Sequence, residues 1–355
     1  MEWFRLKTSY NTEDVILLLK DITNMVIPMS TEEREKKIQE GTHYSEMLPV
    51  EYKPTKKYIE MYDIALKNYS KQTAEAVCLT AEKIYKAKGE NLVLVSLARA
   101  GIPIGILIKH YLNKKYGMKN LKHYSISIIR GKEIDHNAMK YILENHKAED
   151  IQFVDGWIGK GAILTELKKS LENYKGVSPE LAVLSDPANI TELCGTHEDI
   201  LIPSSCLNST VSGLISRTFL RKDIITGNDF HGAVYYSDLI KEDVSYEFIK
   251  EVEKHFDFNI KNVNNATDKN GIEEVLNIGE QFGIKEINFI KPGIGEATRV
   301  LLRRVPWKLL ISEKYKNDPV LQHLYRLAQE KNVPIEYYPL NNYKACGIIK
   351  NLSDL

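Results

Sequence analysis

The chain has 355 residues, 43% hydrophobic and 27% charged, and its 48 basic and 48 acidic side chains cancel. That length suggests two or three domains with ample material for a core, and the neutral balance excludes a large single-sign field, so any nucleic-acid contact must use a local patch. Cys78, Cys194, Cys206 and Cys346 form no CxxC pair, which excludes a zinc ribbon or redox dithiol signal and suits a reducing cytosol.

The N-terminus, MEWFRLKTSYNTEDV, has no apolar signal core. No apolar run approaches the roughly 18 residues needed to cross a bilayer. A cytoplasmic protein with no membrane contact is expected. A short amphipathic helix is expected around TEDVILLLKDI, then a charged run, STEEREKKIQEG, and a loop, THYSEMLPVEYKPT, carrying His43 and Glu46. Apolar residues at three-to-four spacing from Thr55 predict one or two helices that stop at Gly89. Beyond it, NLVLVSL, KHYSISII, DIQFVD and ELAVLSD read as short buried strands. They alternate with the helical segments IPIGILIKHYLNKKYG, DHNAMKYILENH and ILTELKKSLENYK. Such alternation implies βαβ units and an open, mostly parallel sheet. Residues 184–235 mix turn residues and hydroxyls and fit neither pattern throughout. SYEFIKEVEKHF is a helix, and the polar NIKNVNNATDKNG marks a boundary. The rest alternates again as a smaller α/β module, giving domain spans of 1–262 and 272–355.

In an open parallel sheet, ligands sit outside the carboxyl ends of the strands. Two strand ends carry suitable chemistry. After NLVLV, the small residues Ala98, Ala100 and Gly101 let backbone amides approach an anion, and Arg99 can bind it bidentately. After IQFV, Gly159, Lys160, Gly161 and Ala162 lead into a helix, where free amides favour phosphate. Asp155 is placed for hydroxyls or a hydrated Mg2+ ion. The plain alternatives are a strand–helix turn and a salt-bridged loop arginine.

These two loops resemble those of the type I phosphoribosyltransferases, whose second loop holds the sugar phosphate of phosphoribosyl pyrophosphate. Val154, Asp155, Gly161 and Ala162 match that loop; Gly156 stands where a second acid is expected, and Lys160 and Ile163 where hydroxyls are. The segments HYSEMLP, SLARAGIPIG, ISIIRGKEID, FVDGWIGKGAI, EDILIPSSCLNSTVSGLISRT and DFHGA, within residues 43–233, are closer to one subgroup. They resemble the phosphoribosyltransferase-like, StiP-type proteins of bacterial tellurite and stress-response clusters. That resemblance implies transfer of ribose phosphate to a base-like acceptor, with Mg2+, in making or salvaging a nucleoside-like compound. Arg99 and Asp155 would be central to it. Arg130 and Asp135, in a loop after a third strand, would close over the pyrophosphate, unless they form only a surface ion pair. His43 and Glu46 would belong to a base-binding hood, or else cap and pack.

Some members of that group carry the name cysteine protease, which gives a rival reading. Cys206 precedes LNSTVSGL, which resembles the entrance to a helix, where a thiolate is stabilised. His197 and His231 are its candidate partners. A structural cysteine in a turn is the plain alternative.

In the second module, a strand leads into Gly293, Ile294, Gly295, Glu296, Ala297, Thr298 and Arg299, then a helix. This resembles the Gly-x-Asn-Glu-x-Thr-Lys element of the pelota/L7Ae-like RNA-binding domains, which are α/β/α folds, with Gly295 at the asparagine position. EKNVP and ACGI resemble the same group's ending. RNA phosphates would meet the helix N-terminus and a basic patch of Arg299, Arg303 and Arg304. Solvated helix arginines are the alternative. A non-catalytic nucleotide and RNA binder, and a homodimer, stay open.

Overall fold

A computed structural model describes residues 6–261 and 270–351. Most of the expected boundary at 259–271, and the extreme ends of the spans 1–262 and 272–355, lie outside them. The chain begins with two two-residue strands, β1 (Ile16–Leu17) and β2 (Lys20–Asp21), where a helix was expected. The physical reason is pairing. Ile16 and Leu17 lie beside Tyr124 and Ser125, and Lys20 and Asp21 beside Gly232 and Ala233. The continuous apolar run has no 3.6-residue face, and Val15, Leu17, Leu18 and Leu19 are all buried.

The charged run folds as α1 (Thr31–Gln39), started by a capping box between Ser30 and Glu33. A single helix follows, α2 (Lys56–Lys88), capped by Thr55 and stopped by Gly89 at φ 66°. Then come β3 (Val93–Leu97), α3 (Gly101–Tyr116), β4 (Lys122–Ile126), α4 (His136–Asn145), β5 (Ile151–Val154), α5 (Ala162–Ser170), β6 (Leu181–Ser185), β7 (Cys194–Thr196), β8 (Gly232–Ala233) and α6 (Ser245–Glu253). The main sheet has the order β1-β4-β3-β5-β6-β7, and all of its pairings are parallel. All its strands therefore end on one edge.

The smaller C-terminal domain holds α7 (Gly271–Gln281), β9 (Ile290–Pro292), α8 (Ile294–Arg303), β10 (Pro306–Ser312), α9 (Gln322–Glu330), β11 (Ile335–Tyr338) and β12 (Ala345–Ile349). Its sheet runs β11-β10-β12-β9, with the β9, β12 and β10 neighbours antiparallel. Alternate residues face opposite ways. Leu310, Cys346 and Ile348 meet Val275 and Ile278 of α7. Leu309, Ile311 and Ala345 turn to Leu301 of α8 and Leu324 of α9, in an apolar cluster that continues into Val77 of α2 and Ile104 of α3. The α8–α9 side is thus seated on the first domain. Among the described residues no helix is long and apolar enough to cross a membrane.

Candidate functional site

Because β3 and β5 are parallel neighbours, the segments after them emerge side by side. Two adjoining cavities of about 260 and 240 Å³ open there. Asp155, Gly159, Lys160, Gly161 and Ala162 line the first, together with Glu296 and Arg299. Ala98, Arg99 and Ala100 line the second, with Arg303. The two loops expected to serve sugar phosphate and RNA therefore meet in one cleft.

The Asp155 Oδ1 accepts from the Gly156 amide at 2.8 Å. Burial pushes its carboxyl up to about 6, with Arg299 partly opposing the shift. Gly101 packs so closely that a Cβ there would sit 2.5 Å from the Val154 carbonyl oxygen. Gly161 holds φ +81° at the entrance to α5. The Lys160 ammonium does not point to an open phosphate pocket. It donates to the carbonyls of Ile287 and, at 2.7 Å, Ile290. Burial, then the neighbouring Lys291, lower it to about 7. The Tyr343 hydroxyl donates to the Gly159 carbonyl at 2.7 Å. This loop is a latch between the domains.

The RNA-like element is equally engaged. The Ile294 amide donates to Asp199 Oδ1 at 3.0 Å, and the Lys344 amide to Asp199 Oδ2 at 2.8 Å. Arg299 ion-pairs with Glu296 at 2.8 Å and lies over Trp157, 4.3 Å from the ring centroid. Thr298 is buried and donates to the Ile294 carbonyl. The Arg303 Nε donates to Asn208, and Arg304 pairs with Glu35 at 2.7 Å. The expected surface patch of Arg299, Arg303 and Arg304 is thus turned into the domain interface. Gly293 and Gly295 are buried there too.

Other expected residues hold the framework. Arg99 donates to the Ile215 carbonyl at 2.6 Å and pairs with Glu51 at 3.6 Å. Arg130 donates to Asn288 and lines the first cavity. Asp135 caps α4 and accepts from the His231 amide. His43 Nε2 contacts the Arg130 carbonyl at 3.0 Å, fixing that loop. Glu46 is not among the residues lining either cavity. Among the described residues, no cluster of three or more His, Cys, Asp and Glu is placed to hold a metal ion. Arg34, Tyr44, Arg217 and Lys291 also line the cleft. They come from distant segments, and sequence reasoning did not find them; a lone arginine in the apolar GLISRTFL was the one available signal.

The thiols differ from the expected pairing. Only single 3-10 turns, Pro203–Cys206 and Ser209–Val211, surround Cys206, so the helix entrance expected to stabilise its thiolate is absent. Burial pushes that thiol up to about 12. His231 Nδ1 contacts Ser127. His197 sits instead at Cys194, its Nε2 3.5 Å from Sγ. His197 Nδ1 lies 3.1 Å from the Asp186 carbonyl oxygen and 3.8 Å from that residue's Oδ2. Asp186 Oδ1 is buried without a hydrogen-bond partner.

Residues 269–351 match the model of the PELOTA RNA binding domain. Residues 8–253 match that of the tellurite-like stress resistance cysteine protease StiP. A curated protein named cysteine protease StiP, from Acinetobacter baylyi (strain ATCC 33305 / BD413 / ADP1), is 36% identical over 366 residues, covering 97% of this chain and 94% of its own length. A crystal structure of a hypoxanthine-guanine phosphoribosyltransferase from Bacillus anthracis str. 'Ames Ancestor' is 22% identical. It covers 33% of this chain and 68% of its own, at a TM-score of 0.24 that supports no argument. The expectation of a phosphoribosyltransferase using phosphoribosyl pyrophosphate is overturned: the matching family and the curated relative are both named for cysteine proteolysis. With that family model over residues 8–253 and that relative along nearly its whole length, the chain belongs to the StiP family.

Proposed function

We propose that the chain is a thiol-dependent hydrolase of peptide bonds, with Cys194 as nucleophile, His197 as base and Asp186 orienting the imidazole. The carrying observation is the 3.5 Å contact between Cys194 Sγ and His197 Nε2. A carbonyl oxygen can only accept, so the contact of Nδ1 with the Asp186 carbonyl assigns the proton to Nδ1. The Nε2 lone pair is then left for the sulfur, the tautomer that general-base catalysis needs.

Burial pushes the Cys194 thiol up to about 12, so it rests neutral, and its proton leaves only as the sulfur attacks. Sγ bonds to the carbonyl carbon while Nε2 takes the thiol proton. The C–N bond then breaks and the amine departs with that proton, leaving a thioester. Water hydrolyses the thioester, releasing the acid and restoring the thiol. Cys194 is 1% exposed. A peptide reaches it only after the structure around it opens locally. The family name supports the class of reaction.

Turnover of fluorogenic peptides by the full chain tests this. Cys194→Ser is expected to lose at least about 100-fold in kcat, with Cys206→Ser within about twofold of wild type. Full activity after alkylation of Cys194 would sink the assignment. For the C-terminal domain we propose RNA as the partner, on the strength of the match at 269–351.

A further inference from the structure

The proteolytic reading leaves the charge of the interdomain cleft unused. Seven basic side chains, Lys160 with its ammonium held by backbone carbonyls among them, and two acidic ones line the first cavity. Glu296 answers Arg299, and Glu35 answers Arg304. Among the described residues, Arg34, Arg217 and Lys291 ion-pair with no carboxylate. Arg34 is 1% exposed, and its Nε and Nη2 are buried without a hydrogen-bond partner. Arg217 and Arg130 both lie over the Tyr44 ring, at 4.5 and 5.8 Å from its centroid. Burial, reinforced by like charges at Arg34 and Arg217 and partly opposed by Glu296 at Lys291, lowers Arg34 to about 10, Arg217 to about 9 and Lys291 to about 8. All three stay charged at neutral pH.

An unpaired buried ion costs several kcal/mol. Arg34 is such an ion, and the half-buried Arg217 and Lys291, also without an ion pair, join it around one cavity, which makes a site built for a counter-anion. We infer that the interdomain cleft binds a small molecule carrying two or more linked phosphates, held by Arg34, Arg217 and Lys291. The three come from α1, the segment after the 3-10 turn at Ser209–Val211, and β9, and their three positive charges exceed the roughly −1.5 to −2 of one phosphate monoester at neutral pH, so linked phosphates match them better. Guanidinium forks suit phosphate oxygens. The cavities of about 260 and 240 Å³ share Tyr44, Asp155 and Arg217 in their linings. That space suits a small ligand rather than a folded RNA. The site uses residues of both domains and is separate from Cys194.

Calorimetry on the full chain with inorganic pyrophosphate, ATP and a short structured RNA tests the inference. Saturable binding of pyrophosphate is expected. Tighter binding of ATP would identify a nucleotide; equal or weaker binding would identify the bare polyphosphate. Arg34→Met and Arg217→Met should each weaken binding about tenfold or more. Because each also removes an uncompensated charge, each ligand-free variant should melt about 2 °C or more above wild type. If Arg34→Met fails to fold, Arg217→Met carries both readouts. Lower melting with unchanged affinity would make the arginines structural and overturn the inference. So would failure of both pyrophosphate and ATP to bind, or binding of RNA alone.

Discussion

At the scale of single residues, Asp155 offers a sign that can be measured. Its folded pKa is raised to about 6 by burial, above the ordinary carboxylate value of about 3.9. The folded state therefore holds a proton that the unfolded chain has released. The resulting stabilisation is complete below about pH 4 and is lost as pH rises through 6. Asparagine mimics the protonated form. Ligand-free Asp155→Asn should match wild type in melting near pH 4.5 and exceed it near pH 7.5, by roughly 1–3 kcal/mol. Asp199 is likewise raised to about 6, so wild type alone is a mixed signal. The variant-minus-wild-type difference isolates Asp155, and a difference flat across pH would refute the assignment. Asp155 and Gly161 were legible in the sequence because a strand end and a φ-positive glycine have local signatures. The absent asparagine at Gly295 was legible only as a departure. A Cβ there would lie 2.4 Å from the Trp157 ring, so docking onto the first domain demands glycine.

At the scale of elements, the alternation of strands and helices was readable wherever periodicity ran long enough, as in α3, α5 and β3. It failed where pairing partners decide. Residues 15–21 hold a largely buried apolar run and two strands that depend on β4 and β8, and nothing local announces them. The Cys194–His197 contact was also hidden, since the expected partner thiol was Cys206. Its position depends on how β7 meets α2. A Cβ on Gly195 would stand 2.5 Å from the Ala76 carbonyl oxygen and 2.6 Å from its Cα. Both are backbone atoms that cannot rotate away. Gly195→Ala should therefore cost about 1–3 kcal/mol and displace the adjacent Cys194. Thermal melting and peptide turnover should fall together. Normal turnover in this variant would detach the reaction from β7.

At the scale of the whole molecule, the seating of the C-terminal domain governs what can reach its RNA-like element. Proximity between residues 155–161 and 293–299 was invisible in the sequence, because well over a hundred residues separate them and the meeting depends on a shared apolar core. In the docked arrangement Thr298 is buried, and Glu296 and Arg299 face Trp157 and Asp155. RNA contact through Glu296 and Arg299 requires the domains to part, whereas Thr298 is covered within its own domain, 2.9 Å from His323 Nε2 of α9. Asp199 is 4% exposed and holds the Ile294 and Lys344 amides across the interface. Asp199→Ala leaves both amides buried without acceptors unless the domains separate, at about 1–3 kcal/mol for each. The variant should exchange the Ile294 amide hydrogen faster. It should also bind structured RNA about tenfold or more tightly, by removing part of the cost of opening. Fluorescence anisotropy on the full chain measures the second effect. If exchange accelerates while RNA affinity stays fixed, RNA is bound on a face that docking leaves open, and the buried element is an interdomain hinge surface instead.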